Sequence, residues 1–123
     1  MRACTVEGWV KWPTTGSGTE DLISVGEVDS GKGLRVSLDR TGTKPVLRVF
    51  ARAIWPSTPI VDAAFDADLT NLLGEWVHIA VTYDPCEGTG TWTLYADGEK
   101  LGNSVANFWR ANGTDYFRDG DFR

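Results

Sequence analysis

The sequence predicts an all-β protein, an antiparallel two-sheet β-sandwich spanning residues 1–123 as a single domain. Three observations predict it: short runs rich in Val, Ile, Thr and aromatic residues, fourteen glycines and five prolines spread between those runs, and alternation of apolar with polar residues inside them. No helical stripe is convincing. A chain of 123 residues buries roughly two thirds of the surface that its unfolded form exposes, enough core to fold without staples.

Each element follows in order. Residues 4–12, CTVEGWVKW, alternate Cys4, Val6 and Val10 with Thr5, Glu7 and Lys11, which is a strand with one apolar face. Residues 22–28 (LISVGEV) and 34–40 (LRVSLDR) flank a glycine-containing turn and form a hairpin. A second turn at 40–45, RTGTKP, leads into VLRVFAR at 46–52, where Val46, Arg48, Phe50 and Arg52 oppose Leu47, Val49 and Ala51; Pro45 suits the start of a strand. Residues 55–74 are the least regular stretch, with one short helical turn expected around Thr70–Leu73. EWVHIAVTYD at 75–84 places Val77, Ile79, Val81 and Tyr83 on one face and His78, Ala80 and Thr82 on the other. After a loop, WTLYA at 92–96 runs into Asp97-Gly98, the dipeptide suited to a type I′ turn, and returns along Lys100–Ala106.

Composition excludes several partners. Acidic residues outnumber basic ones, 17 to 12, and the basic ones are scattered, so no nucleic-acid footprint exists. No apolar run approaches a spanning segment and the first residues enter a strand directly, so the expectation is no membrane partner and no export signal in this chain. Localisation stays unassigned, extracellular if the chain is cut from a larger secreted protein. Cys4 and Cys86 lack the spacing of zinc ligands and read as small hydrophobes or, in an oxidising compartment, as a disulfide.

Three segments, TVEGWVKW at 5–12, EWVHIAVTYD at 75–84 and TLYADGEKLG at 93–102, resemble in order and spacing the concanavalin A-like lectin/glucanase superfamily, in its laminin-G-like and pentraxin-like branch. The resemblance implies a jelly roll of two curved antiparallel sheets and a module that binds glycans, proteins or lipids, often with calcium. It also implies trimming at both ends, since members usually carry a strand before the first segment and more after the last. The positions that match the pentraxin disulfide hold Glu7 and Ala80, so that bridge is absent. Setting Glu7 opposite Ala80 puts Trp9 opposite His78 and Thr5 opposite Thr82. Cys4, Val6 and Val10 then share the core face with Val77, Ile79, Val81 and Tyr83, while Glu7, Trp9, Lys11, His78 and Thr82 form a polar face with one exposed indole.

Catalysis is not expected. The glucanase branch uses a Glu-x-Asp-x-Glu array, and the nearest approach here, Glu27-Val28-Asp29, lacks the second glutamate. No Gly-x-Ser-x-Gly motif or phosphate-cradling loop occurs. Asp62, Asp66, Asp68 and Asn71 fall within ten residues and are the candidate calcium ligands, or alternatively an acidic capping loop. Asp119 and Asp121 read as solvated tail residues.

Six tryptophans make glycan stacking conceivable. Trp12, Trp76 and Trp92 read as core, and Trp9, Trp55 and Trp109 as surface candidates. His78 reads as a satisfied polar residue on a strand or as part of a ligand site. The candidate ligand site is Glu7, Trp9, His78 and Trp55, on the concave sheet face. The function expected is a non-catalytic module for a glycan or protein surface. The alternatives are an assembly domain that dimerises through open sheet edges, and a glucanase.

Overall fold

The computed structural model describes residues 3–26, 33–52, 59–84 and 90–106, which form two antiparallel sheets. In chain order the strands are β1 (Cys4–Val10), β2 (Thr19–Gly26), β3 (Gly33–Asp39), β4 (Val46–Arg52), β5 (Pro59–Ala64), β6 (Val77–Asp84), β7 (Thr91–Ala96), β8 (Glu99–Lys100) and β9 (Val105–Ala106). One sheet runs β1-β6-β7-β8, with β9 also paired to β7; the other is the meander β2-β3-β4-β5.

Alternation builds the core from both inner faces. Leu34, Val36 and Leu38 of β3 and Leu47, Val49 and Ala51 of β4 meet Val77, Ile79, Val81 and Tyr83 of β6 and Trp92 and Leu94 of β7. Burying each large apolar side chain contributes about 1.5–3 kcal/mol. Tyr83 and Trp92 pack at a tilt with ring centroids 4.5 Å apart. Trp12, Phe65 and Leu69 close the core from the connecting segments.

The expected register is present: Glu7 pairs with Ala80, Trp9 with His78 and Thr5 with Thr82. Val77, Ile79, Val81 and Tyr83 are buried, and Cys4, Val6 and Val10 pack half-buried against them. A 3-10 turn occupies Thr70–Leu72, where a helical turn was expected.

Three elements differ from expectation. β2 begins at Thr19 rather than Leu22, because a bulge between Asp21 and Ile23 breaks the period-two pattern. The extra residue lets Leu22 and Ile23 both sit half-buried in succession, which simple alternation forbids. The expected return strand at 100–106 is split into β8 and β9, because the chain between them is drawn towards Asp66. Gly102 sits at φ +65, and a side chain there would collide with the Asp66 carboxylate. Finally, Trp76 is not core: it is 65% exposed, whereas Trp12 and Trp92 are buried as expected.

Candidate functional site

On β1 the side chains of Thr5, Glu7 and Trp9 point outward while their neighbours face the core. Trp9 lies opposite His78 of β6, and the two rings meet edge to face with centroids 5.3 Å apart. His78 Nε2 also lies 3.6 Å from Glu7 Oε1, so one imidazole touches two successive outward residues of the neighbouring strand. With Glu7 largely in water, this contact orients more than it stabilises.

The backbone of His78 is held at both ends by Asp97. The His78 amide donates to Asp97 Oδ1 (2.9 Å), and its carbonyl accepts from the Asp97 amide (2.8 Å). Asp97 and Gly98 have φ of +48 and +84, the left-handed pair that a type I′ turn requires. The hairpin tip is thereby fastened to the strand that carries the imidazole.

Around this centre the outer face is polar. Across the sheet Glu7, Ala80, Tyr95 and Lys100 form one row of paired positions, and Thr5, Thr82 and Thr93 another. Thr93 Oγ1 and Ser104 Oγ share a hydrogen bond of 2.7 Å. Trp76, just before the start of β6 and two positions from His78 in sequence, is 65% exposed, as is Trp9. Sequence reasoning placed Trp76 in the core on residue type. Its parity with His78 rather than Val77 was the signal that could have found it.

A hollow of ≈600 Å³ lies over the outer face of the other sheet, and Glu7, Trp9 and His78 do not line it. Its walls are charged but mutually paired. Arg48 lies 3.2 Å from Asp62 and 3.8 Å from Asp39, and Arg35 lies 3.9 Å from Asp21. The guanidinium groups of Arg35 and Arg52 lie over Phe50, 5.1 and 5.6 Å from its centroid. Asp39 also accepts from the Thr41 hydroxyl and amide, which hold its carboxyl below the ordinary carboxylate range.

The residues singled out for calcium are dispersed. Asp62 faces Arg48 on the four-stranded sheet. Asp66 accepts from the Asn103 amide (2.6 Å) and side-chain Nδ2 (2.7 Å), and these bonds lower its pKa. Asp68 accepts from the hydroxyl (2.6 Å) and amide (2.9 Å) of Thr70, with the same consequence, and Asn71 is exposed. Among the described residues, no three His, Cys, Asp or Glu side chains converge as a metal-holding group. The nearest match to the capping alternative is Asp68, which binds both donors of Thr70 at the head of the 3-10 turn.

Cys4 is a free, half-buried thiol whose pKa burial pushes up. Trp55, Cys86, Trp109, Asp119, Asp121 and the Glu27-Val28-Asp29 segment lie outside the described residues.

Comparison with known proteins agrees with the architecture. A family model described as the concanavalin A-like lectin/glucanases superfamily matches residues 2–121. Neither the curated proteins nor the solved structures gave a significant match.

Proposed function

Because the chain belongs to the concanavalin A-like lectin/glucanases superfamily, we propose that it is a non-catalytic module that binds a glycan on the outer face of its five-stranded sheet. The observation that carries this reading is the Trp9 indole, 65% exposed and edge-on to His78, with a second indole, Trp76, equally exposed just before β6. Large aromatics left in water signal an interaction surface more than an isolated exposed aliphatic does. The C–H face of a sugar ring removes apolar area from an indole at about 25 cal/mol per Å², while the indole N–H reaches a hydroxyl.

Nearby groups supply direction. Glu7 offers a carboxylate, His78 an imidazole whose backbone is pinned, and Lys100 an ammonium three strands away. The hollow over the other sheet suits a ligand less well, since its arginines and aspartates already pair with each other. The absence of catalysis rests on the sequence, where the paired-carboxylate array has lost a member.

A glycan array with the wild type, Trp9→Ala and Trp76→Ala tests the reading. Specific signals that fall tenfold or more in both variants, with circular dichroism unchanged, support it. Wild-type signals in both variants sink it, and binding to proteins with no glycan signal transfers the module to the protein-recognising class.

Assembly is a second reading, favoured by β1, which among the described residues pairs on one side only and borders an apolar crevice of ≈120 Å³ between the sheets. It requires a dimer. Light scattering that reports a monomer at every concentration removes it.

A further inference from the structure

Glu7 and Trp9 both belong to the proposed ligand face, and one side chain reaches the two of them. His78 Nε2 stands 3.6 Å from Glu7 Oε1, and the His78 ring meets the Trp9 indole edge to face, 5.3 Å between centroids. It is the only histidine in the chain. Histidine is also the side chain whose charge ordinarily changes between pH 5 and 8, so a proton taken up there puts a positive charge between the groups offered to a ligand.

The geometry makes the site sensitive to that charge. A gap of 3.6 Å exceeds hydrogen-bond reach, so beside a neutral imidazole the Glu7 carboxylate keeps its oxygens for other donors. Glu7 is outward and 60% exposed, so a change of rotamer closes the gap without disturbing the core. The imidazole end is the fixed one, because the His78 backbone is bonded on both sides to Asp97. The charged neighbours are few. Glu7 faces His78 from β1, with Lys11 two positions beyond Trp9. Asp97 faces it from the β7–β8 turn, with Oδ1 taken by the His78 amide. On β7 the nearest titratable group is Tyr95, opposite Ala80, and on β6 the next outward residues, Ala80 and Thr82, carry no charge.

We infer that His78 is the positioning residue of the glycan site and that its protonation withdraws the site from the ligand; the inference rests on the glycan reading above. In the imidazolium form Nε2–H donates to Glu7 in a charge-assisted bond of about 2.7–2.9 Å, and the ring's charge holds the Trp9 indole against it. The carboxylate oxygens that would accept from sugar hydroxyls are then engaged. A sugar that takes them displaces the imidazolium and returns its proton to solvent. Because such coupling is reciprocal, affinity falls as pH falls through the range in which the imidazole charges. Pairs this exposed are weak, so the change is roughly two- to fivefold.

The test has two arms. The first needs no glycan: NMR of the free protein between about pH 5.5 and 8, above the ordinary carboxylate range, follows the His78 imidazole, the Glu7 carboxyl carbon and the Trp9 indole N–H. We expect the Glu7 and Trp9 signals to move with the His78 transition and to lose that step in His78→Gln. The second scans a panel of neutral oligosaccharides at the two ends of that range with the wild type, His78→Gln and Glu7→Gln. Wild-type signals should be roughly two- to fivefold weaker at the acid end, and each variant should give one level at both. A merely structural histidine would instead lower the His78→Gln signal and leave the wild type independent of pH. Should His78→Gln fail to fold, Glu7→Gln, changed at an exposed position, carries the comparison. Glu7 and Trp9 signals that ignore the His78 transition, or wild-type binding that is flat with pH, overturn the inference. If no oligosaccharide binds at either end, the glycan reading fails, and the titration of the free protein alone decides whether His78 captures Glu7.

Discussion

On the outer face of β3 and β4 each arginine has a carboxylate or an aromatic ring beside it, whereas on the outer face of β1 and β6 the Trp9 indole stands in water next to His78. Both faces arise from the same alternation over one core. The first satisfies itself, with Arg48 shared between Asp39 and Asp62 and with Phe50 covered by Arg35 and Arg52. The second leaves apolar surface and donors open. A sheet's register thus decides which residues face outward, but the pairing among them decides whether that face has anything left to offer a ligand.

The broadest way to break the comparison is to remove what the two faces share. Trp92 is fully buried at the centre of the core, and Trp92→Ala should cost about 3–5 kcal/mol of stability, measured by urea denaturation. A loss below 1 kcal/mol would mean that the core is not continuous between the sheets.

Next in size is the indole itself. Trp9→Ala should weaken glycan binding about tenfold or more while leaving the denaturation midpoint close to wild type, because the side chain is largely in water. The matching change on the other face, Arg48→Met, should leave glycan binding unaltered. Equal losses from both substitutions would erase the distinction between the faces.

Asp66 fastens the end of the four-stranded sheet to the segment between β8 and β9 through Asn103. Its carboxyl pKa is lowered mainly by the Asn103 amide bond and then by the side-chain bond. A depressed folded-state pKa contributes stability above the unfolded pKa and loses it as pH falls through the folded value. Wild type should therefore weaken from about pH 5 towards pH 2, and its advantage over Asp66→Ala should shrink across that window. An advantage that is constant with pH would assign the latch to something other than this carboxylate.

The smallest effect sharpens the edge between the faces. Gly8 has no positive φ, and a Cβ there would meet nothing within 4 Å among the described residues. Gly8→Ala should raise stability by roughly 0.4–1 kcal/mol, chiefly by restricting the unfolded chain. Destabilisation would show that the space beside β1 is filled.

Much of the fold was legible because strands with one buried face announce their parity. Val77, Ile79 and Val81 alternate with His78, Ala80 and Thr82, and the pairing of Glu7 with Ala80 was implied by the family resemblance, whose disulfide positions these two residues match. Trp76 was misread because the general tendency of large aromatics to be buried outweighed its position one step from Val77. The bulge at Leu22 was invisible, since a doubled inward residue looks in sequence like a later strand start. The four residues grouped as calcium ligands were close in sequence, but strand, bend and turn send them to Arg48, Asn103 and Thr70.

Asp97 has a practical corollary for engineering. Exposed hairpin tips are the usual places to graft a peptide or lengthen a loop. Here the tip residue grips both the amide and the carbonyl of His78, completing the ladder one step past the Ile79–Ala96 pair. An insertion between Asp97 and Gly98 would slacken that grip and let the imidazole swing away from Trp9, so a graft there reports on recognition even though it lies outside the sheet's rim.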